Sequence, residues 1–360
     1  MLKENYQVII AGAGPAGLAA SLTLTANKIS HCIFEAHKSA KPKPGDALPP
    51  NAKPLLKQLG ILDLLKNDLH IPYYGSKSIW GNDTIHQEEF IANIYGHGYL
   101  LDRLLFEQQL IEQVKHNNTP FYQGYKIKQV KENNGMEVLI QGNVDNIQLQ
   151  APYVIDATGR KASIARHLGV QKIDMDKQLT FSFWHQLEQS IPRQIWIEAT
   201  QNGWWYLSPS QGKKVNCMFF TLKELTPHNN DTTSFLYHEL DQTQQIKSII
   251  KPNSQELLNY KIMPSGTSYL EKPYGDKWLA IGDAAFSFDP ISSYGISSAL
   301  ATGYYGANAI SSALSDEQDA FISYHYVFAN GAQSYIKKLA HQYSLENRWS
   351  DSFYWKNRLR

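Results

Sequence analysis

Apolar and polar positions in the first part of the chain follow the pattern of alternating strands and helices. Apolar residues predominate in 7–11 and 31–35, and the segment 16–26 between them has the pattern of a helix. Two apolar strands joined by a helix predict a βαβ unit with parallel, buried strands. The chain is therefore expected to begin as a parallel sheet packed against helices.

The same alternation continues beyond this unit. The segment 38–54 is rich in proline and lysine, so it is predicted as an extended loop of the kind that often covers ligands. Later patterns predict helices at 55–65 and 101–116, paired strands at 126–130 and 137–140, and a short buried strand at 153–156. The α/β part therefore extends past residue 160.

Strand patterns without long helices dominate the middle of the chain. Runs at 179–184, 194–198, 204–207 and 214–221 predict an inserted antiparallel sheet between about 178 and 262. An apolar strand at 278–283 and a helix at 295–314 then return to the first pattern. The predicted fold class is α/β, with a Rossmann-like domain of 1–75, 96–175 and 265–330, an inserted antiparallel β-sheet substrate domain of 76–95 and 176–264, and a C-terminal helical segment of 331–360.

The composition argues against a protein that binds nucleic acid, spans a membrane or holds a metal ion. The 360 residues carry 34 basic and 33 acidic side chains, which gives a net charge of +1. Such a balanced charge produces no long-range attraction for nucleic acid. No apolar run approaches the roughly 20 residues of a membrane span. Cys32 and Cys217 favour a reducing compartment, so a cytoplasmic location is expected. No Cys and His spacing typical of a metal site is present, and no metal is predicted.

A glycine motif carries the first candidate chemistry. Gly12, Gly14 and Gly17 lie between the first strand and its helix, and Glu35 ends the second strand. Gly12 allows a tight turn, Gly14 lets the backbone approach a pyrophosphate at the helix N-terminus, and Gly17 lets helix and strand pack closely. An acid at Glu35 accepts hydrogen bonds from a ribose diol. The motif predicts that the chain binds the adenosine of FAD or NAD.

A second motif distinguishes these two cofactors. The strand at 278–281 runs into Gly282-Asp283-Ala284-Ala285, followed by Asp289-Pro290 and then by 293–296. Asp283 can bind a polyol hydroxyl, and the small residues after it leave room for a ribityl chain. The helix that begins at Gly295 offers its first backbone N–H groups to a flavin carbonyl. Enzymes that use a nicotinamide cofactor do not need this second motif, so FAD is the predicted cofactor.

These residues also carry a family resemblance. The glycine motif, Asp156-Ala157-Thr158-Gly159-Arg160 and Gly282-Asp283 resemble the p-hydroxybenzoate hydroxylase-type flavoprotein superfamily. The resemblance implies that Asp283 contacts the ribityl chain and that Arg103 contacts the pyrophosphate region. The expected FAD-binding set is Gly12, Ala13, Gly14, Pro15, Ala16, Gly17, Glu35, Ala36, Gly45, Leu48, Arg103, Ile127, Asp283, Pro290, Gly295 and Ile296.

Further segments resemble particular branches of that superfamily. The loop 44–50 and the segment 204–209 are similar to motifs of tryptophan halogenases, but the loop with the halogenase lysine has no counterpart that can be aligned here. Halide chemistry is therefore not expected. The C-terminal segments 346–349 and 353–358 resemble the aromatic and arginine-rich signature of flavoproteins that mature cysteine tryptophylquinone-dependent glycine and lysine oxidases.

This resemblance implies an FAD-dependent monooxygenase. It would act through a flavin C4a-hydroperoxide formed with dioxygen and would hydroxylate a tryptophan side chain in the precursor of a quinone-cofactor amino-acid oxidase. NAD(P)H is one candidate donor of the electrons. Two alternatives stay open: a small-molecule aromatic hydroxylase or lipid-chain reductase of the same fold, and a flavin-containing chaperone of the oxidase precursor.

No catalytic base can be assigned from the sequence. Trp184, His185 and Trp205 are the candidate residues of a substrate pocket. Trp204 and Trp205 would point to opposite faces of a strand, so at most one of them is expected to face the flavin. Sheet packing for each tryptophan and a structural hydrogen bond for His185 are the simpler interpretations.

Overall fold

A computed structural model of the protein describes residues 5–142, 145–227, 231–251, 256–257, 259–317 and 319–358. The strands are β1 Val8–Ala11, β2 His31–Glu35, β3 Ala47–Leu48, β4 Ile71–Tyr73, β5 Gly75–Ile79, β6 His86–Glu89, β7 Gly98–Leu100, β8 Phe121–Gln123, β9 Lys126–Glu132, β10 Met136–Gln141, β11 Asn146–Ala151, β12 Tyr153–Asp156, β13 Lys172–Asp174, β14 Gln178–Gln186, β15 Ile195–Thr200, β16 Gly203–Pro209, β17 Lys214–Leu222, β18 Lys261–Pro264, β19 Ser268–Leu270, β20 Trp278–Ala280 and β21 Phe286–Ser287. The α-helices are α1 Pro15–Ala26, α2 Lys53–Gln58, α3 Arg103–His116, α4 Ser163–His167, α5 Thr232–Asp241, α6 Ile246–Ile249, α7 Gly295–Leu314, α8 Ala320–Ser344 and α9 Phe353–Lys356.

A five-stranded parallel sheet in the order β20-β12-β1-β2-β8 forms the centre of the first lobe. One face packs on helices α1, α3 and α7, where Val8 and Ile10 meet Leu18, Phe106 and Leu300. The other face packs on the antiparallel sheet β11-β10-β9. This arrangement confirms the predicted α/β class, because both faces of a parallel sheet must be covered.

The inserted sheet has seven strands in the order β18-β14-β17-β16-β15-β5-β6. Its neighbours are antiparallel except for β15 and β5, which pair in parallel, so the sheet is mixed rather than wholly antiparallel. Strands β5 and β6 come from the early part of the chain and complete the sheet at one end. One face turns towards the parallel-sheet lobe, and the other is covered by α5 and α6.

Some boundaries differ from the sequence predictions. The helix predicted at 55–65 ends at Gln58, because Gly60 adopts φ 69° and the N–H of Ile61 donates to the carbonyl oxygen of Leu56 at 2.9 Å. This is the geometry of a glycine-terminated helix. The loop predicted at 38–54 contains β3, which pairs with β7, and α2 begins at Lys53. The helical segment predicted from residue 331 begins earlier, since α8 is continuous from Ala320.

Two other sequence features can be located in the fold. Cys32 and Cys217 are both free and buried. Within the described ranges, no helix is both long enough and apolar enough to cross a membrane.

Candidate functional site

The glycine turn between β1 and α1 is fixed by close backbone packing. Gly12 has φ 107°, and a Cβ atom there would lie 2.3 Å from the carbonyl oxygen of Ala157. A Cβ atom on Gly17 would lie 2.0 Å from the carbonyl oxygen of Gly12. Both glycines are therefore required by the protein's own packing, because no side chain fits at such distances.

Gly14 differs from its two neighbours in the motif. It has ordinary extended dihedrals, φ −76° and ψ 179°, and a Cβ atom there would meet nothing within 4 Å. Helix α1 begins at the next residue, so its first N–H groups and its positive dipole end face this open space. The space in front of Gly14 can therefore receive an anionic group such as a pyrophosphate.

Glu35 is bonded to the same turn. Its carboxylate accepts hydrogen bonds from the backbone N–H groups of Ala13 and His37, each at 2.8 Å. The bonds hold the carboxylate at the carboxyl end of β2 and leave acceptor capacity for further donors, as contact with a ribose would require.

The second motif packs directly on the first. Gly282 has φ 57°, its N–H donates to the Thr302 hydroxyl at 2.8 Å, and a Cβ atom there would lie 2.7 Å from the Cβ of Ala16. The next side chain, Asp283, is 38% exposed, and its carboxylate lies 3.8 Å from Nε of Arg160. Residues far apart in sequence thus meet above the carboxyl edge of the parallel sheet.

Lys172 lies behind this second motif, at the start of β13, and no sequence motif includes it. Its Nζ donates to the carbonyl oxygens of Asp283, at 2.7 Å, and Arg160, at 3.0 Å. Burial lowers the pKa of Lys172 to about 8. The ammonium group ties two predicted cofactor segments together.

Arg103 begins α3 and reaches the loop between β2 and β3. Its guanidinium donates to the carbonyl oxygen of Gly45 at 2.7 Å and to the carboxylate of Glu107 at 2.8 Å, and Lys43 completes the group with an ion pair to Glu107 at 2.7 Å. The Nε of Arg103 is buried and has no hydrogen-bond partner among the described residues. A buried donor of this kind is satisfied when a bound acceptor supplies the missing oxygen.

Asp46 is a buried acid in the same loop, next to the predicted cofactor residue Gly45. Its carboxylate accepts hydrogen bonds from the hydroxyls of Tyr206, at 3.0 Å, and Ser208, at 2.6 Å, both on β16. Burial raises the pKa of Asp46. This carboxylate therefore fastens the loop of the first lobe to the inserted sheet.

The raised pKa of Asp46 leads to a pH-dependent prediction. A carboxyl group whose folded pKa exceeds its unfolded pKa loses its stabilising contribution as pH rises through the folded value. Asparagine does not titrate, so only the wild type loses this contribution as pH rises. The unfolding free energy of Asp46→Asn relative to that of the wild type should therefore be higher at about pH 8 than at about pH 5. Urea unfolding of both proteins at each pH measures the difference. Asp316→Asn, at an exposed position, is the control, and an equal difference at both pH values for Asp46→Asn would contradict the prediction.

Some of the remaining predicted cofactor residues lie at the surface, and others have buried side chains. Gly295 begins α7 and faces open space, and Pro290 begins the turn Pro290–Ser292 that precedes it. Ala36 is exposed just beyond Glu35. Three others have side chains in the hydrophobic cores, so only their backbone atoms are available to a ligand: Leu48, Ile127 and Ile296.

The three candidate pocket residues do not lie together in one pocket. Trp184 is 52% exposed on β14, while His185, on the opposite face, is buried beside Glu256, with its Nδ1 2.9 Å from that carboxylate. Trp205 packs on the α5 side and donates from its Nε1 to the carbonyl oxygen of Glu239 at 3.2 Å. Trp204 is the member of the pair that faces the first lobe.

The C-terminal segment contributes to this same face of the sheet. Trp204 Nε1 donates to the Tyr343 hydroxyl at 3.1 Å, and that hydroxyl donates to the Asp289 carboxylate at 3.2 Å. Asp289 also accepts from Arg358, which forms a second ion pair with Asp176 at 2.7 Å. All three charged side chains are almost completely buried. The Asp289-Pro290 motif is thus held by the end of the chain.

Together, the open glycine turn, the carboxylate of Glu35 beside it and the buried arginine donor fit FAD. Such a cradle binds a dinucleotide cofactor, and together with the match to a family of FAD-binding domains it defines a flavin-dependent oxidoreductase. The chain belongs to the FAD binding domain family, whose model matches residues 5–327.

Comparisons with individual proteins agree with this family. The putative FAD-dependent oxidoreductase LodB of Marinomonas mediterranea is 25% identical, with 99% of this chain and 97% of LodB covered. A pyrrole-2-carbonyl carrier-protein brominase of Pseudoalteromonas luteoviolacea is 24% identical, with 92% and 83% covered.

Solved structures share the fold at lower sequence identity. The myxobacterial chondrochloren halogenase CndH has a TM-score of 0.90 and 18% identity, covering 99% of this chain and 86% of CndH. The peptidyl tryptophan dihydroxylase QhpG, essential for tryptophylquinone cofactor biogenesis, has a TM-score of 0.78 and 16% identity, covering 98% and 78%.

Proposed function

We propose that this flavoenzyme hydroxylates a tryptophan side chain in the precursor of a quinone-cofactor amino-acid oxidase. The observation that carries the proposal is the burial of the C-terminal segment against the cofactor side, where Arg358 binds Asp289. This segment resembles the maturation flavoproteins, and its ion pair with Asp289 supports a role for it in the site. The end-to-end similarity to LodB and the fold shared with QhpG support the same assignment.

The cofactor-side residues are proposed to act as holders of FAD. The N–H groups in front of Gly14 bind the pyrophosphate, Glu35 accepts from the ribose, Arg103 supplies its free Nε, and Asp283 binds the ribityl chain. Reduced FAD supplies the activation of dioxygen for oxygen insertion. The overall reaction consumes dioxygen, two electrons and two protons, inserts one oxygen atom into the indole C–H bond and releases water.

The inserted sheet is proposed to provide the substrate side. Its face towards the first lobe carries Trp204, Tyr206 and Ser208, and Trp184 is exposed on the neighbouring part of the sheet. We place the substrate beside the exposed Trp184 on this side of the sheet, because Trp204 and Trp205 are both fully buried. The proposed division of the chain remains a cofactor domain, a sheet domain and a C-terminal helical segment.

The proposal is tested with the FAD-loaded protein and the unmodified oxidase precursor. The mixture receives NAD(P)H, or chemically reduced flavin, and isotopically labelled dioxygen, and the tryptic peptides of the precursor are analysed by mass spectrometry. We expect one or more labelled oxygen atoms on a single tryptophan. A precursor with phenylalanine at that position should remain unlabelled.

Other outcomes separate the competing functions. The reaction is repeated with bromide and chloride, because halogenases share the fold. A halogenated tryptophan would refute hydroxylation as the activity. Normal binding of the precursor without any incorporated oxygen would favour a chaperone, and oxidation of free indoles but not of the precursor would favour a small-molecule hydroxylase.

A further inference from the structure

Strand β6 forms an exposed edge of the seven-stranded sheet. Among the described strands it pairs only with β5, and all four of its residues are exposed. Gly75 of β5, with φ 152°, allows the close pairing, since a Cβ atom there would lie 1.9 Å from the carbonyl oxygen of Glu88. The strand is therefore held in sheet geometry while its outer backbone groups remain available to another strand.

Apolar side chains flank this edge at both ends. Ile85 precedes the strand and is exposed, and Ile91 and Ile94 follow it with 92% and 87% of their side-chain surface exposed. Tyr74 and Tyr95 lie at the same end and are also exposed. We call β6 together with these five residues the edge patch. Such a group of exposed apolar residues beside a sheet edge is typical of a protein-interaction surface.

The charge of the edge patch is acidic. Glu88 and Glu89 are exposed, and neither forms an ion pair with any described residue. A second copy of this chain added to β6 would bring the carboxylates of both copies together, which disfavours self-pairing. A strand that carries lysine or arginine beside apolar residues would complement both the charge and the isoleucines.

The edge patch is connected to the cofactor loop. Lys53, the first residue of α2, donates from its Nζ to the carbonyl oxygen of Tyr95 at 2.8 Å. The chain then enters β7, whose Leu100 pairs with Ala47 of β3, next to Asp46. The edge patch is therefore joined to the strands next to the cofactor loop by this hydrogen bond and by the short chain segment between Tyr95 and β7.

We propose that the edge patch binds an extended, basic and apolar segment of the protein substrate as an added strand of the inserted sheet. This inference rests on the proposed function for the identity of the protein substrate. Main-chain hydrogen bonds to β6 supply affinity in this binding mode, while the isoleucines and the two glutamates supply specificity.

The test measures binding of the FAD-loaded protein to the unmodified oxidase precursor in the absence of reductant. Replacing both isoleucines, in an Ile91→Asp and Ile94→Asp double variant, should weaken the affinity about tenfold or more. Replacing the acids, as Glu88→Lys with Glu89→Lys, should weaken it as well, and added salt should weaken wild-type binding. The matched control is Ile322→Asp with Val327→Asp, at exposed positions of α8, which should leave the affinity unchanged.

Hydrogen exchange gives a second measurement that does not depend on substitutions. Amides of 86–89 should exchange more slowly in the complex, because an added strand pairs with the outer backbone groups. Unchanged exchange there, or wild-type affinity in the double isoleucine variant, would overturn the proposal. A wild-type dimer that the isoleucine substitutions dissociate would instead assign the surface to self-association and overturn it too. Because no turnover is needed, these results are independent of whether oxygen is inserted.

Discussion

Replacing Gly14 by valine is expected to abolish FAD binding while leaving the protein folded. The new side chain meets no protein atom within 4 Å of its Cβ and suits the extended backbone at this position, but it fills the space in front of the α1 N-terminus. We expect the affinity for FAD to fall about 100-fold or more, which corresponds to a loss of about 3 kcal/mol. Flavin fluorescence titration of the FAD-free protein measures this affinity.

Two further glycine variants make the result specific. Gly17→Val should fail to fold stably, since its Cβ would lie 2.0 Å from the carbonyl oxygen of Gly12. Gly331→Val also meets open space, on α8, and should bind FAD normally. The unfolding free energy of FAD-free Gly14→Val should remain within about 0.5 kcal/mol of the wild type. Retention of FAD by Gly14→Val would show that the pyrophosphate lies elsewhere.

Removing the buried cation of Arg358 should lower the unfolding free energy by several kcal/mol. Arg358 is fully buried between Asp176 and Asp289, so Arg358→Met leaves two carboxylates without their shared cation. We expect the unfolding free energy to fall by about 3 to 5 kcal/mol. Urea unfolding of the FAD-loaded and FAD-free proteins measures the loss.

The pH dependence of that loss identifies its cause. Burial raises the pKa of Asp289, and Arg358 opposes this effect. Without the arginine the folded pKa should rise further, so the contribution of Asp289 to stability is retained at low pH and lost as pH rises through the folded value. The loss in Arg358→Met should therefore be smaller at about pH 5 than at about pH 8.

A double variant provides the control for this prediction. In Asp289→Asn with Arg358→Met the carboxylate at 289 is removed together with its cation, so part of the stability should be recovered relative to Arg358→Met alone. An additive effect of the two substitutions, or a loss that does not change with pH, would mean that packing of the arginine side chain dominates.

The elements that the sequence predicted most closely are those specified by local rules. The strand at 31–35 and the helix at 295–314 have the predicted bounds in the structure. The opposite orientations of Trp204 and Trp205 follow from strand alternation alone. Strand alternation does not show which of the two tryptophans faces the first lobe, because this depends on what covers each face of the sheet.

The local sequence was enough to predict the α/β beginning and the glycine turn with Glu35, because a turn, a helix N-terminus and an adjacent strand form from neighbouring residues. The choice of FAD over NAD came from a separate local motif, Gly282-Asp283. Tertiary packing, in contrast, fastens Asp46 to β16 and buries Arg358 beside Asp289. It also pairs β5 with β15 in parallel, inside a sheet that the sequence patterns predicted to be antiparallel. These contacts join residues far apart in the chain, and their formation depends on the packing of whole lobes rather than on any local pattern.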